Sequence, residues 1–224
     1  MATGSNPTKT RILVLHGFYD SAQNREHQMR SLIRQMKQIE FVFIDAPFPF
    51  VNHGFVQSTE NLPIEPRYQW MSYRPEFART EFEYDTIKES VEYIIDYINQ
   101  NGPFDGLLGF SQGAVVCVTM LLKIPTWPLL PSCIKFVILV GCPPLADPKI
   151  KSFTANFCEQ DSLPTLHISG RNDTLIPTES SEIVFQYFNP LQAEFYVHNG
   201  GHFCPGDGDS RQKLREFLQR VLHS

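Results

Sequence analysis

The sequence predicts an α/β domain: six short strands in a mostly parallel sheet, flanked by helices and interrupted by an aromatic-rich insertion. Three observations predict it. Short runs of β-branched and aromatic residues alternate with longer segments of helical periodicity, the pattern of β-α units. The chain, at 224 residues, is long enough to close a sheet between two helical layers as one domain spanning 1–224. One stretch, 47–83, breaks the alternation with Pro, Phe, Tyr and Trp and few helix signals.

The elements follow in order. Strands are expected at Arg11 to Leu15, Phe41 to Ile44, Phe104 to Gly109, Ile134 to Val140, Thr165 to Ser169 and Glu194 to Val197. Helices are expected at Asn24 to Gln38, Tyr84 to Gln100, Gln112 to Lys123, Thr178 to Phe188 and Arg211 to Leu222. Residues 1–10 are short and polar and are expected to be disordered. The 47–83 insertion is assigned to a lid or substrate-binding loop, and a second irregular stretch, Cys142 to about Ser162, carries a short helix around Ile150 to Cys158.

Composition excludes several classes. A net charge of -5 with both signs mixed along the chain offers no basic stripe for phosphates, so nucleic acid is not an expected partner. No apolar stretch approaches the ~20 residues that span a bilayer, and the N-terminus lacks a signal-peptide core, which predicts a soluble, cytoplasmic protein without an integral membrane segment. Cysteines 117, 133, 142, 158 and 204 are odd in number, widely spaced and without a C-x-x-C pair. Neither a disulfide framework nor a metal site is expected from them, and a reducing compartment fits.

The chemistry centres on Gly109-Phe110-Ser111-Gln112-Gly113, which follows an apolar strand and opens an apolar helix. A serine on so sharp a turn sits in a strained backbone conformation, and flanking glycines remove β-carbons that would clash. The turn sets Ser111 at a helix N-terminus, where free N–H groups favour developing negative charge. The same five residues could also be a serine capping a helix; partners decide between the readings.

The partners are in place. Asp173 lies just beyond the strand ending at Ser169, and Asn199-Gly200-Gly201-His202 follows the last strand, so the chain order is Ser, acid, His, each at a strand's carboxyl end. Ser111, Asp173 and His202 are therefore the catalytic candidates. Asp147, Asp207 and Asp209 lack the strand-then-turn setting, His167 falls mid-strand, His198 lies close to the strand end, and His27, His53 and His223 have no motif around them. An oxyanion hole needs two backbone donors: the N–H of Gln112, and one from Leu15-His16-Gly17-Phe18, where Phe18 is the expected donor and His16 a bracing residue. In the insertion, Phe48, Phe50, Phe55, Trp70, Tyr73 and Phe77 are candidates to line an apolar acyl or alkyl site, against the alternative of core packing.

Taken together, Leu13 to Phe18, Asp45-Ala46-Pro47, Gly109 to Ala114, Ser169 to Asp173 and Gly200-Gly201-His202 resemble the family of serine hydrolases (FSH) of fungi and other eukaryotes, over nearly the whole chain. The resemblance implies the α/β-hydrolase fold, a Ser111-Asp173-His202 triad, and a serine carboxylesterase acting through an acyl-enzyme on small-molecule esters, with medium to long acyl or alkyl chains. It also implies no metal or organic cofactor. A thioesterase, peptidase or acyltransferase on the same fold, or a non-catalytic ligand-binding protein, remains the alternative.

Overall fold

The computed structural model describes residues 9–50, 66–73, 84–156 and 163–222. Its main sheet holds β1 (Thr10–Leu15), β2 (Ile39–Ile44), β7 (Gly106–Phe110), β8 (Phe136–Val140), β9 (Thr165–Gly170) and β10 (Ala193–His198). They lie in the order β10-β9-β8-β7-β1-β2, and every pairing is parallel. The chain leaves β1 toward β2 on one side and later returns to β7 on the other, so the order reverses between β1 and β7. Ligands of open parallel sheets bind outside the carboxyl ends of the strands at such a reversal.

Alternation along the strands builds a core on each face of the sheet. Ile12, Val14, Leu108, Ile138 and Leu166 pack against Met29 and Leu32 of α1 (Ala22–Gln35) and Leu214, Phe217 and Leu218 of α6 (Gly208–Leu222). Leu13, Leu15, Leu107, Val137 and Leu139 face the other way, onto α2 (Ile87–Asn101), α3 (Gln112–Leu121) and α5 (Thr178–Phe185). In α2 the apolar positions Ile87, Val91, Ile94, Ile95 and Ile98 form one stripe, the face that a 3.6-residue period turns to a core. Every residue of α3 is buried, as expected for a helix packed between the sheet and its neighbours.

The six expected strands and five expected helices are all present, with shifted ends. Helix α1 starts at Ala22 because the Ser21 side chain accepts from the Asn24 N–H at 3.1 Å, and it stops at Gln35, short of the expected Gln38. Helix α2 begins at Ile87 and not at Tyr84, because Thr86 adopts a left-handed conformation (φ 67°) that no helix continues through. Asp207 accepts from Ser210 N–H at 3.0 Å and starts α6 three residues before the expected Arg211. Strand β7 begins at Gly106, where a side chain would collide with the Phe136 ring 2.2 Å away. Thr10, expected in the disordered tail, is the first residue of β1.

The described residues of the 47–83 insertion include three two-residue strands: β3 (Phe48–Pro49) pairs with β4 (Tyr68–Gln69), and β5 (Ser72–Tyr73) pairs with β6 (Tyr84–Asp85) just beyond it, both antiparallel. Two-residue strands carry little sequence signal, which is why alternation did not reveal them. The short helix expected near Ile150 is α4 (Pro148–Lys151), continued by 3-10 turns at Ser152–Asn156. No helix among the described residues is long and apolar enough to cross a membrane.

Candidate active site

Ser111 occupies the turn between β7 and α3 with φ 54° and ψ −115°, a combination that costs of order 1–3 kcal/mol and persists only where surroundings enforce it. The enforcement is visible. The Ser111 N–H donates to Val140 C=O at 2.9 Å, and its own carbonyl accepts from Ala114 and Val115 N–H as the first turn of α3. A β-carbon at Gly109 would fall 2.5 Å from Gly113 O, and one at Gly113 would fall 2.4 Å from Leu15 O, so both glycines let α3 start flush against the ends of β7 and β1.

Asp173 and His202 meet at the far side of the same sheet end. The Asp173 Oδ2 lies 2.6 Å from His202 Nδ1, while Oδ1 accepts from the N–H groups of Leu175 (3.0 Å) and Ile176 (2.8 Å). The carboxylate is thus satisfied at both oxygens, and the side chain is 1% exposed. A carboxylate partner on Nδ1 assigns the proton to that nitrogen and leaves Nε2 as the acceptor. The imidazole rests on the loop after β8: a β-carbon on Gly141 (φ 56°) would sit 2.9 Å from His202 Cε1. Gly141 adjoins Val140, the residue bonded to Ser111 N–H, so the serine and the histidine converge over one peptide. The ring of Phe110 closes the other flank, 4.7 Å from the imidazole between centroids.

The loop after β1 lies alongside. A β-carbon on Gly17 would be 3.3 Å from Ser111 Cβ, which brings the Gly17-Phe18 backbone beside the serine. Gln112 opens α3, where first-turn N–H groups have no intrahelical acceptor and the helix dipole is positive. His16 is 1% exposed; its Nε2 accepts from Ala46 N–H at 3.0 Å, and Nδ1 donates to Gly17 C=O at 2.7 Å. Burial holds its pKa below the ordinary histidine value, so it stays neutral and braces the loop.

A buried ion pair underlies this loop. Arg25 Nε donates to Asp20 Oδ2 at 3.0 Å, the two side chains being 4% and 6% exposed, and Asn24 Nδ2 donates to Asp20 Oδ1 at 2.5 Å. Burial alone would raise the Asp20 carboxyl, but the Arg25 charge and these hydrogen bonds keep it below its ordinary value. The Arg25 guanidinium also lies 3.7 Å above the Phe110 ring, linking the pair to the wall of the histidine.

Of the expected substrate contacts, Phe48 lies half-buried in β3, and Phe50 packs edge-on against Phe18 at 5.1 Å and Tyr19 at 4.8 Å. Trp70 requires correction. It is 0% exposed, and its indole N–H donates to His16 C=O at 2.9 Å, so it braces the loop after β1 from inside and does not line open space. A buried indole needs an acceptor, and the loop supplies it. Phe55 and Phe77 lie outside the described residues, and Tyr73 is described through its backbone in β5.

The rival residues have other work. Asp147 caps α4 and accepts from Tyr84 N–H at 2.8 Å, Asp207 starts α6, and His198 Nδ1 accepts from Gly200 N–H at 3.0 Å. His167 is buried in β9, where desolvation depresses its pKa to about 3. His53 and His223 lie outside the described residues. The sequence reading missed Asp20 with Arg25, Gly141 and the Gln112 side chain. Arg25 was findable: it stands four residues before Met29 and seven before Leu32, a cation inside the apolar stripe of α1.

The sequence matches the family described as Serine hydrolase (FSH1) over residues 5–214. It is 32% identical to the zebrafish (Danio rerio) protein named Esterase OVCA2, covering 94% of this chain and 96% of that one. Human Esterase OVCA2 is 30% identical over the same shares. Among solved structures, maize (Zea mays) acyl-protein thioesterase 2 superposes with a TM-score of 0.68 at 16% identity, covering 99% of this chain and 97% of that one. Esterase PE8 gives 0.62 at 20% identity, covering 96% and 93%. At such identities the structural likeness establishes the α/β-hydrolase fold alone, whereas the family match spans Ser111, Asp173 and His202. The chain belongs to the FSH1 serine hydrolase family.

Proposed function

We propose that the protein is a carboxylesterase in which Ser111 is the nucleophile, His202 the general base and Asp173 the residue that orients and charges the imidazolium. The observation that carries this reading is the 2.6 Å contact between Asp173 and His202 Nδ1, over the same peptide that anchors the strained Ser111. His202 Nε2 takes the hydroxyl proton as Ser111 attacks the ester carbonyl. The N–H groups of Gln112 and Phe18 hold the tetrahedral oxyanion. The alcohol departs with the proton from His202, and water, activated by the same imidazole, releases the acid from the acyl-enzyme.

The relatives named esterases support the ester as the bond cleaved, and the aromatic cluster of Phe18, Tyr19 and Phe50 supports an apolar acyl or alkyl chain of medium to long length. The insertion acts as the substrate-binding side of the one domain. Free thiols at Cys117, Cys133, Cys142 and Cys204 suit a cytoplasmic setting.

Matched oxygen-ester, thioester and amide substrates, assayed with wild type and Ser111→Ala, test the reading. Esters should be cleaved fastest and only with Ser111 present. A thioester preference with the same Ser111 dependence would reassign the bond, and turnover by Ser111→Ala would overturn the nucleophile. From butyryl to octanoyl esters, four added methylenes at about 0.8 kcal/mol each should raise kcat/KM by roughly two orders of magnitude if fully buried. A flat series would remove the apolar-chain specificity.

A further inference from the structure

The two proposed oxyanion donors stand on different elements, Phe18 after β1 and Gln112 at the start of α3. One short segment of the insertion touches both. The Trp70 N–H donates to Gln112 Oε1 at 2.8 Å, and Gln112 Nε2 donates to Met71 C=O at 2.8 Å, so a single carboxamide grips the backbone of two consecutive residues. From the same residue, the Trp70 indole N–H reaches His16 C=O, on the peptide that leads into Gly17 and Phe18. The Trp70 carbonyl in turn accepts from Ser90 Oγ of α2, which fixes the segment from behind. Gln112, Trp70 and Met71 are 1%, 0% and 0% exposed, so none of these bonds competes with water.

We propose that the Gln112 side chain is a positioning residue: its carboxamide, with the Trp70 indole, ties the Tyr68–Tyr73 segment to both halves of the oxyanion hole and sets their spacing. The inference rests on the Ser111 hydrolase reading and deepens it. Its chemical logic is that an oxyanion hole acts only when both donors are held where the charge develops, so a brace spanning both acts on the transition state more than on the bound ester. The amide pattern is also specific: Gln112 must accept from the N–H of one residue and donate to the carbonyl of the next, which neither a carboxylate nor a thioether can do. The insertion thereby couples to catalysis through its backbone and the Trp70 indole.

The test uses Gln112→Met, which keeps length and removes both bonds, Gln112→Glu, which keeps the acceptor and loses the donor, and Trp70→Phe, which removes the indole N–H. Hydrolysis of 4-nitrophenyl butyrate and binding of phenylboronic acid, which forms a tetrahedral adduct on a nucleophilic serine, are measured on folded protein with melting temperatures in parallel. The expected result is a kcat lower by roughly 10- to 100-fold in Gln112→Met, an equal loss of boronate affinity, and KM changed by no more than about twofold. Gln112→Glu should fall between wild type and Gln112→Met, and Gln112→Met with Trp70→Phe should be less than additive. If the variants melt earlier but keep wild-type kcat and boronate affinity, or lose KM alone, the brace is structural only and the proposal is overturned. If wild type shows no boronate binding that depends on Ser111, the hydrolase reading itself fails, and the positioning role with it.

Discussion

The two halves of the site are held by different means. On the nucleophile side, around β1 and β7, side chains from several segments bond to loop backbone: His16 to Ala46 and Gly17, Trp70 to His16, Gln112 to Trp70 and Met71, with the Asp20–Arg25 pair beneath. On the acid-base side, the loops after β9 and β10 are zipped by their own backbone. Arg171 N–H donates to His198 C=O at 2.8 Å and Asn172 N–H to Gly200 C=O at 3.0 Å, continuing the ladder between the strands. The difference teaches where mutation should hurt. On the proposed mechanism, the Ser111 side should depend on residues distant from the chemistry, whereas the Asp173–His202 side should depend chiefly on those two groups.

The largest expected effect falls on a reacting group. Asp173→Asn should lower turnover by roughly 10⁴ while leaving the fold intact, because the tautomer of His202 is lost and the packing is not; a loss under tenfold, by steady-state kinetics, would break the acid-base half of the comparison. Next is the support beneath the loop after β1. Asp20→Ala leaves Arg25 charged and unpaired in the core and should cost about 3–5 kcal/mol in urea unfolding, with the loss of activity following the loss of order in the loop. A cost below 1 kcal/mol would show that the nucleophile side does not lean on this pair.

Smaller is the pH dependence. Burial holds His16, His167 and His198 below the ordinary histidine pKa, so the unfolded chain takes up protons that the folded chain refuses. Their stabilising contribution is therefore complete above about pH 6.5 and is lost as the pH falls, by at most about 1.4 kcal/mol per pH unit for each histidine. For His167 the loss continues down to about pH 3. Urea melts at pH 7.5 and 5.5 should show lower stability at the acid end; equal stability would contradict the neutral, buried histidines. Smallest is Asn172→Ala, which removes the Nδ2 bond to Asn199 C=O yet leaves the backbone zipper, and should cost about 1 kcal/mol with near-wild-type turnover.

The same contrast explains what the sequence made legible. The sheet was legible because its strands are apolar runs between helical periods, and Ser111, Asp173 and His202 because each follows such a run in a fixed order. The glycines beside Ser111 and before His202 announced close backbone approach. What stayed hidden depends on contacts far apart in sequence. Nothing local distinguishes Trp70 lining a pocket from Trp70 bonded to His16 across 54 residues, and nothing local marks the Gln112 side chain as the partner of Trp70 and Met71. Likewise Asp207 looked like a spare acid until α6 was seen to begin on it. Element ends moved for similarly local reasons, such as the left-handed Thr86 before α2.

The central claim is that Ser111 is a nucleophile activated by the Asp173–His202 pair. Fluorophosphonate labelling, with the modified peptide mapped by mass spectrometry, tests it most directly. The account predicts a single adduct on Ser111, slowed strongly by His202→Ala and abolished in Ser111→Ala; labelling that persists in Ser111→Ala, or an adduct on another residue, would contradict it.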